Sequence, residues 1–367
     1  MGQAEAAELL GIGERTFRRW CRRFEAEGEA GLLDRRLGKP SPKRVPQREA
    51  EQVEQLYRER YSGFTVKHFH EHLVREHSFD WGYSWTKIFL QSRGLIAPAP
   101  RRGAHRRKRP RRPMVGMMLH QDGSSHRSIP ELDRELDLIV TMDDATNEIY
   151  SMFLVEEEGT ASSLRGLAEV FSAKGLFCSL YSDRGSHYFY TPKAGEKVDK
   201  NVRTQVGRAL AQLGIEHIPA YSPEARGRSE RAFRTLQDRL PKELQLAGIT
   251  DMDAANSFIA RSYLTEHNRR FAVMPVEAGS AFVPARPEQW ADVLCIQHER
   301  IVGNDNTVAI DGLRLQIPAA TSRAHFVRAK VRVNRYGDGR YAIFHGPRRL
   351  ASYDPTGCLI EAQKCAA

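Results

Sequence analysis

Long apolar runs are missing from this chain. No stretch of about eighteen apolar residues occurs in it, which excludes a membrane-spanning helix. A secretory start is missing too, because MGQAEAAELLGIGERTF has neither a basic opening nor an apolar run behind it. Cysteine is scarce: Cys21, Cys178, Cys295, Cys358 and Cys365 are scattered, odd in number and form no CxxC pair. That excludes a disulfide framework and a zinc ribbon and fits a reducing cytoplasm, the expected location. Hydrophobic residues nevertheless make up 41% of the 367, enough to bury a real core and to exclude a disordered chain. The length predicts two to four domains.

Charge is unevenly spread. The net charge is +10, and residues 1–113 carry 25 Lys and Arg against 14 Asp and Glu, so the rest of the chain is close to neutral. A basic front on a neutral back points to a polyanion partner, most simply nucleic acid; the bland alternative is a well-solvated surface.

Residues 4–27 predict two helices around the turn Gly11-Ile12-Gly13-Glu14. Ala7, Leu10, Ile12, Phe17, Trp20 and Phe24 fall at helical spacing, and the second helix presents Arg15, Arg18, Arg19, Arg22 and Arg23. A short glycine turn before an arginine-rich helix is the helix-turn-helix pattern, in which arginines reach phosphates and guanine edges. Residues 37–48 form a proline-broken linker, and 49–96 a second helical DNA-binding module with helices at 49–60, 65–76 and 84–92, the last capped by Ser84. His68 and His72 stand at metal-ligand spacing in this module, but no carboxylate or thiolate completes a site, so they are expected to be packing and surface residues. Residues 97–113 carry eight Lys or Arg, among them Arg106, Arg107, Lys108 and Arg109. This extended basic linker is suited to tracking a phosphate backbone.

From Val115 the pattern switches to strands. The expected order is three hairpin-linked strands (115–122, 136–142, 149–155), a helix (160–174), a strand (176–182), a helix (202–213), a strand (215–220) and a long helix (226–246). Three acids fall at strategic points: Asp122 ends the first strand, Asp183 follows the fourth, and Glu230 opens the long helix among Arg226, Arg228, Arg231 and Arg234. Taken singly, each acid reads equally as a turn or ion-pair residue. Together they form an all-oxygen ligand set suited to Mg²⁺ or Mn²⁺, with two ions activating the attacking oxygen and stabilising the leaving oxygen of a phosphodiester. Arg228 and Arg231 are expected to hold phosphates beside the scissile bond. Residues 275–293 connect to a strand-rich tail, 294–367, expected to be a small β-barrel; its Arg323, Arg328, Lys330, Arg332, Arg335, Arg348 and Arg349 are suited to binding DNA or a partner subunit, and a purely stabilising barrel is an equal alternative.

The words HQDGSSH, VTMDDATNEIYS, YSDRGSHYF, AYSPEARGRSERAFRTLQDRL and EHNRRF resemble bacterial insertion-sequence transposases with an integrase-type catalytic core, most of all the unclassified group often labelled ISNCY. The resemblance runs from the first helix-turn-helix to the C-terminus. It implies an α/β RNase H-like core over 114–274 behind all-α DNA-binding modules, Asp122, Asp183 and Glu230 as the catalytic triad, and structural roles for Asp143 and Asp144. It implies DNA, at transposon ends and at the target, as the partner, and a homo-oligomer, dimer or larger, in the nucleoid. Two features depart from the family: the 47-position spacing between Asp183 and Glu230 is long, and the chain opens almost directly on the helix-turn-helix (residues 1–36) where a further helix is usual. Two rivals remain: a transposase-derived regulator that binds DNA without cutting it, and an RNase H-like nuclease that does not transpose.

Overall fold

A computed structural model describes residues 2–34, 44–98, 110–192, 197–199, 201–221, 227–319 and 325–360. The chain divides into two compact units, Met1–Pro98 and Ala99–Ala367. None of the described helices is long and apolar enough to cross a membrane.

The first unit is helical. Helices α1 (Gln3–Leu9) and α2 (Glu14–Glu27) meet at a turn where Gly11 takes a φ of +63°, a conformation that glycine adopts without steric cost. Only Ala7 of α1 is buried and no residue of α2 is, so both helices keep most of their surface outward. Helices α3 (Gln47–Glu59), α4 (Val66–Glu76) and α5 (Tyr83–Ser92) close on Val53, Tyr57, Tyr61, Phe64, Phe69, Leu73 and Leu90. His68 and His72 are buried there, with His68 stacked on Phe64 and His72 bonded to Glu76 at 2.7 Å. Ser84 does not cap α5. The N-cap is Gly82, whose extended backbone starts the helix two residues earlier and places Ser84 within its first turn.

The second unit is built on a five-stranded sheet of order β3-β2-β1-β4-β5, with β1 at Leu119–His126, β2 at Leu136–Asp143, β3 at Ile149–Val155, β4 at Ser179–Ser182 and β5 at Glu216–Pro219. The hairpin strands pair antiparallel, while β1–β4 and β4–β5 pair parallel. One face is covered by α6 (Thr160–Ala173) and α7 (Gln205–Gln212) over a core that includes Leu119, Leu167, Phe171, Leu180, Val206 and Leu210. The other is covered by α8 (Ser229–Leu246), α9 (Met252–Phe258), a short π-helical turn (Ile259–Tyr263) and α10 (Leu264–Phe271). There Val140, Met152 and Leu154 pack on Phe233, Leu236, Leu240 and Ile259. This is the α/β order expected from the sequence.

Two asparagines finish the sheet at its β3 edge. Asn268 accepts from the Ile149 amide (2.9 Å) and donates to its carbonyl (2.8 Å), and Asn256 does the same at Leu154 (2.7 and 2.9 Å). The EHNRRF word of the sequence thus has a structural use, docking α10 on the sheet.

The connector is not a loose tether, because Phe282, Trp290 and Leu294 join the core beneath α6 and α7. The connector contains α11 (Pro287–Trp290), and six strands follow it. Strands β6 (Ile296–Ile301), β9 (Lys330–Arg335), β10 (Tyr341–His345) and β11 (Arg348–Tyr353) form one antiparallel sheet of order β11-β10-β9-β6. Strands β7 (Thr307–Ile310) and β8 (Leu313–Gln316) form a hairpin through Asp311 and Gly312. The expected β-barrel is corrected here: among the described residues the hairpin pairs only with itself, so two open sheets share one apolar core instead of closing on each other.

Candidate active site

Parallel pairing aligns the first two acids. The β1–β4 register sets Leu119 opposite Leu180 and His120 opposite Tyr181. Continued by two positions, past the end of β4 at Ser182, this register sets Asp183 level with Asp122. Asp122 lies inside β1 and is 5% exposed, so it does not end the strand as expected. Asp183 stands just past β4, and its Oδ1 accepts the Gly185 amide at 2.8 Å, which braces the loop it opens.

Alternation along β1 decides which face these acids take. Gln121 points to the α6 side, where its Nε2 donates to the Ser163 carbonyl (3.1 Å) and its Oε1 accepts from the Tyr188 hydroxyl (3.2 Å). His120, Asp122 and Ser124 therefore face α8. Two contacts anchor that helix: Gln237 Nε2 donates to Ser124 Oγ at 2.6 Å, and Arg228, at the helix start, pairs with Asp144, whose Oδ1 lies 2.7 Å from His120 Nε2. Both anchor spacings, four strand residues and nine helical residues, are about 13 Å. Helix α8 therefore runs alongside β1, in the same direction. Glu230 stands between the anchors, two turns before Gln237 and so on the same helical face, and it is exposed. The β1–β4 register thus sets Asp122 and Asp183 at neighbouring levels, and Glu230 lies on the face of α8 that carries Gln237.

The DDAT acids behave differently. Asp143 Oδ2 accepts the Gly116 amide (2.9 Å), and its Oδ1 accepts the amides of Ala145 (2.8 Å) and Thr146 (2.9 Å), which fixes the turn between β2 and β3. Asp144, fully buried, also accepts the Arg112 amide at 2.7 Å. Arg228, expected at a phosphate, is committed inward to Asp144 with 15% of its side chain exposed. Arg231 is exposed on the first turn of α8. It lies near enough to Arg111 to help lower that guanidinium's pKa, after burial and Arg228. In α2, Arg15, Arg18, Arg19 and Arg22 are exposed and Arg23 is half-buried; Arg18 pairs with Glu14. Arg106, Arg107, Lys108, Arg109 and, in the tail, Arg323 lie outside the described residues.

Sequence reasoning missed Glu158 and His187. The Glu158 carboxylate lies against Gly123, where a Cβ would sit 2.3 Å from its Oε2, and its Oε1 is 3.5 Å from His187 Nε2. The fully buried Tyr188 feels Glu158, Asp122 and Asp183 together: burial first, then these three carboxylates, hold its phenol protonated far above its usual range. The only signal was the run of three glutamates before the glycine at the start of α6, which shows no periodicity.

A family model described as Helix-turn-helix domain matches residues 1–41. The chain is 32% identical over 345 residues to the Sinorhizobium fredii protein named "Putative transposase y4bF", covering 94% of this chain and 75% of that protein. It is 30% identical over 163 residues to the transposase for insertion sequence IS1202 of Streptococcus pneumoniae, covering 44% of this chain and 34% of that one. Among solved structures it is similar to a simian T-cell lymphotropic virus intasome in complex with a PP2A regulatory subunit, at 14% identity and a TM-score of 0.34, over 84% of this chain and 97% of that one. It is also similar to the HTLV-2 integrase catalytic core domain in complex with magnesium, at 14% identity and a TM-score of 0.31, over 39% of this chain and 82% of that one.

Proposed function

The chain belongs to the bacterial transposase family, and on that premise we propose that it cuts and joins DNA by metal-dependent phosphodiester chemistry, with Asp122, Asp183 and Glu230 as the acids that hold the metal. The observation that supports this most is the β1–β4 register, which, continued past the end of β4, sets Asp183 level with Asp122 on the side of the sheet where α8, bearing Glu230, is anchored. The donor set fits the group, because carboxylate oxygens without thiolate or imidazole in the three positions favour hard cations such as Mg²⁺ or Mn²⁺ over Zn²⁺. Two such ions, when bound, lower the pKa of attacking water and neutralise charge on the leaving oxygen.

The protein's own part is positioning. Asp122 is held in a paired strand and Asp183 in a braced turn, so both carboxylates keep their place. Exposed Arg231 holds phosphate oxygens beside the scissile bond. Water attacks the phosphorus at the transposon end; the bond to the 3′ oxygen breaks and that oxygen leaves as a hydroxyl. The hydroxyl then attacks a target phosphodiester in line, displacing a target 3′ oxygen, and no covalent link to the enzyme forms. The helix-turn-helix reads the transposon ends through Arg15, Arg18, Arg19, Arg22 and Arg23, and the basic linker follows the backbone. Holding two ends at once calls for a dimer or larger homo-oligomer.

A cleavage assay on end-bearing DNA with Mg²⁺ tests this. Asp122→Ala, Asp183→Ala and Glu230→Ala should each abolish cleavage and leave DNA binding nearly intact. Normal cleavage by Glu230→Ala sinks the assignment. A parent protein that binds these ends but never cuts them is a regulator instead.

A further inference from the structure

Asp144 joins three segments that are distant in sequence. Its Oδ1 meets His120 Nε2 of β1 at 2.7 Å and Arg228 at the start of α8, and its Oδ2 accepts the amide of Arg112, where the basic linker ends, at 2.7 Å. Arg111 clasps the same turn, donating from Nη1 to the carbonyls of Asp144 and Ala145 (both 3.1 Å) and to Asn147 Oδ1 (2.8 Å). Asp144 is fully buried, and a buried carboxylate keeps its charge only while its partners stay in place. Its partners therefore hold one another in register. Glu230 comes two residues after Arg228, so wherever Arg228 is held, the start of Glu230's helix is held too.

We propose that Asp144 is a positioning residue for strand cleavage: through Arg228 it sets the start of the helix that presents Glu230, and through Arg111 and Arg112 it ties that start to the end of the DNA-tracking linker. The proposal rests on the triad reading given above. Asp144 touches neither DNA nor metal; it acts through Glu230. Loss of such a support behind a ligand lowers metal affinity or activity by about 10- to 100-fold.

The test uses the full chain with Asp144→Asn, Arg228→Met and Arg228→Lys. Three quantities are read for each: DNA affinity, single-turnover cleavage rate at saturating DNA, and the midpoint of a calorimetric Mn²⁺ titration. Asp144→Asn and Arg228→Met should keep DNA affinity, cut about 10- to 100-fold more slowly at saturation, and shift the Mn²⁺ midpoint upward. Arg228→Lys, which retains the charge, should recover part of both losses. If Asp144→Asn fails to fold, Arg228→Met decides alone, because it leaves Asp144 with His120 and the Arg112 amide. A lower melting temperature with unchanged rate and midpoint would make the hub purely structural and overturn the proposal. Weaker DNA affinity with an unchanged saturating rate would make Arg228 a DNA-binding residue and overturn it equally. Glu230→Gln runs alongside: if it cuts normally, the triad reading has failed, whereas an inactive Glu230→Gln beside a normal Asp144→Asn faults only this proposal.

Discussion

Helices α2 and α8 look alike in sequence and behave in opposite ways. Both are rich in arginine with apolar residues at helical spacing. Helix α2 buries no residue: Trp20 is 37% and Phe24 50% exposed, and four of its five arginines face outward. Helix α8 buries Phe233, Leu236, Leu240, Leu244 and even Arg239, whose guanidinium lies 5.1 Å from the centre of the Phe271 ring. The difference is what each helix meets. A sheet with a free apolar face and a buried acid just past the end of β2 draws α8 inward and takes Arg228 with it. Arginine content therefore says little about DNA binding until the partners of each guanidinium are known.

The largest expected effect lies on α8. Glu230→Gln removes a charge from the proposed ligand set and should reduce Mg²⁺-dependent cleavage to background in a gel assay. Next comes α2: the triple change Arg18→Gln, Arg19→Gln and Arg22→Gln should weaken DNA binding and lower the slope of log affinity against log salt by about 0.9 for each phosphate that is no longer neutralised. An unchanged slope would remove α2 from the DNA interface and erase the contrast. Packing gives a third measure. Leu240→Ala, at a position 1% exposed, should cost about 2–5 kcal/mol, whereas half-exposed Phe24→Ala should cost well under that, as read by denaturant unfolding.

The smallest effect is a pH dependence confined to the core unit. His217 stacks on Phe189 and lies 2.9 Å from Ser182, next to Asp183. Burial, then His187, push its pKa down to about 3. The folded state thus disfavours the protonated ring. The stability this confers is fully present above the ordinary His value near 6.5 and is lost progressively as pH falls from there toward 3. By pH 5 the loss is about 2 kcal/mol, or roughly 5 °C in melting temperature. In His217→Leu the decline between pH 7 and pH 5 should be shallower by that amount; an identical decline would mean that the ring titrates normally.

Much of the core is legible in the sequence because local pattern and tertiary role agree there. Short apolar-rich strands, an apolar stripe on α8 and acids near strand ends all point the same way. The expected start of β1 is too early because Val115 and Met118 look strand-like, yet Gly116 at a φ of +80° turns the chain before Leu119. Barrel closure is unreadable for another reason: alternation predicts strands but not whether a hairpin finds a neighbour. The partnership of Arg228 with Asp144 spans 84 positions, and that of Glu158 with His187 crosses from one end of α6 to the loop after β4, so neither leaves a local trace.

The amides of Asn256 and Asn268 carry a consequence for handling the protein. A bare outer strand offers its backbone as a template on which another chain can assemble. On β3, the backbone groups of Ile149 and Leu154 that would begin such assembly are already taken by side chains. Asn256→Ala with Asn268→Ala would reopen that template. The expected outcome is concentration-dependent aggregation that the parent chain resists, with the cross-β signature of edge-to-edge growth.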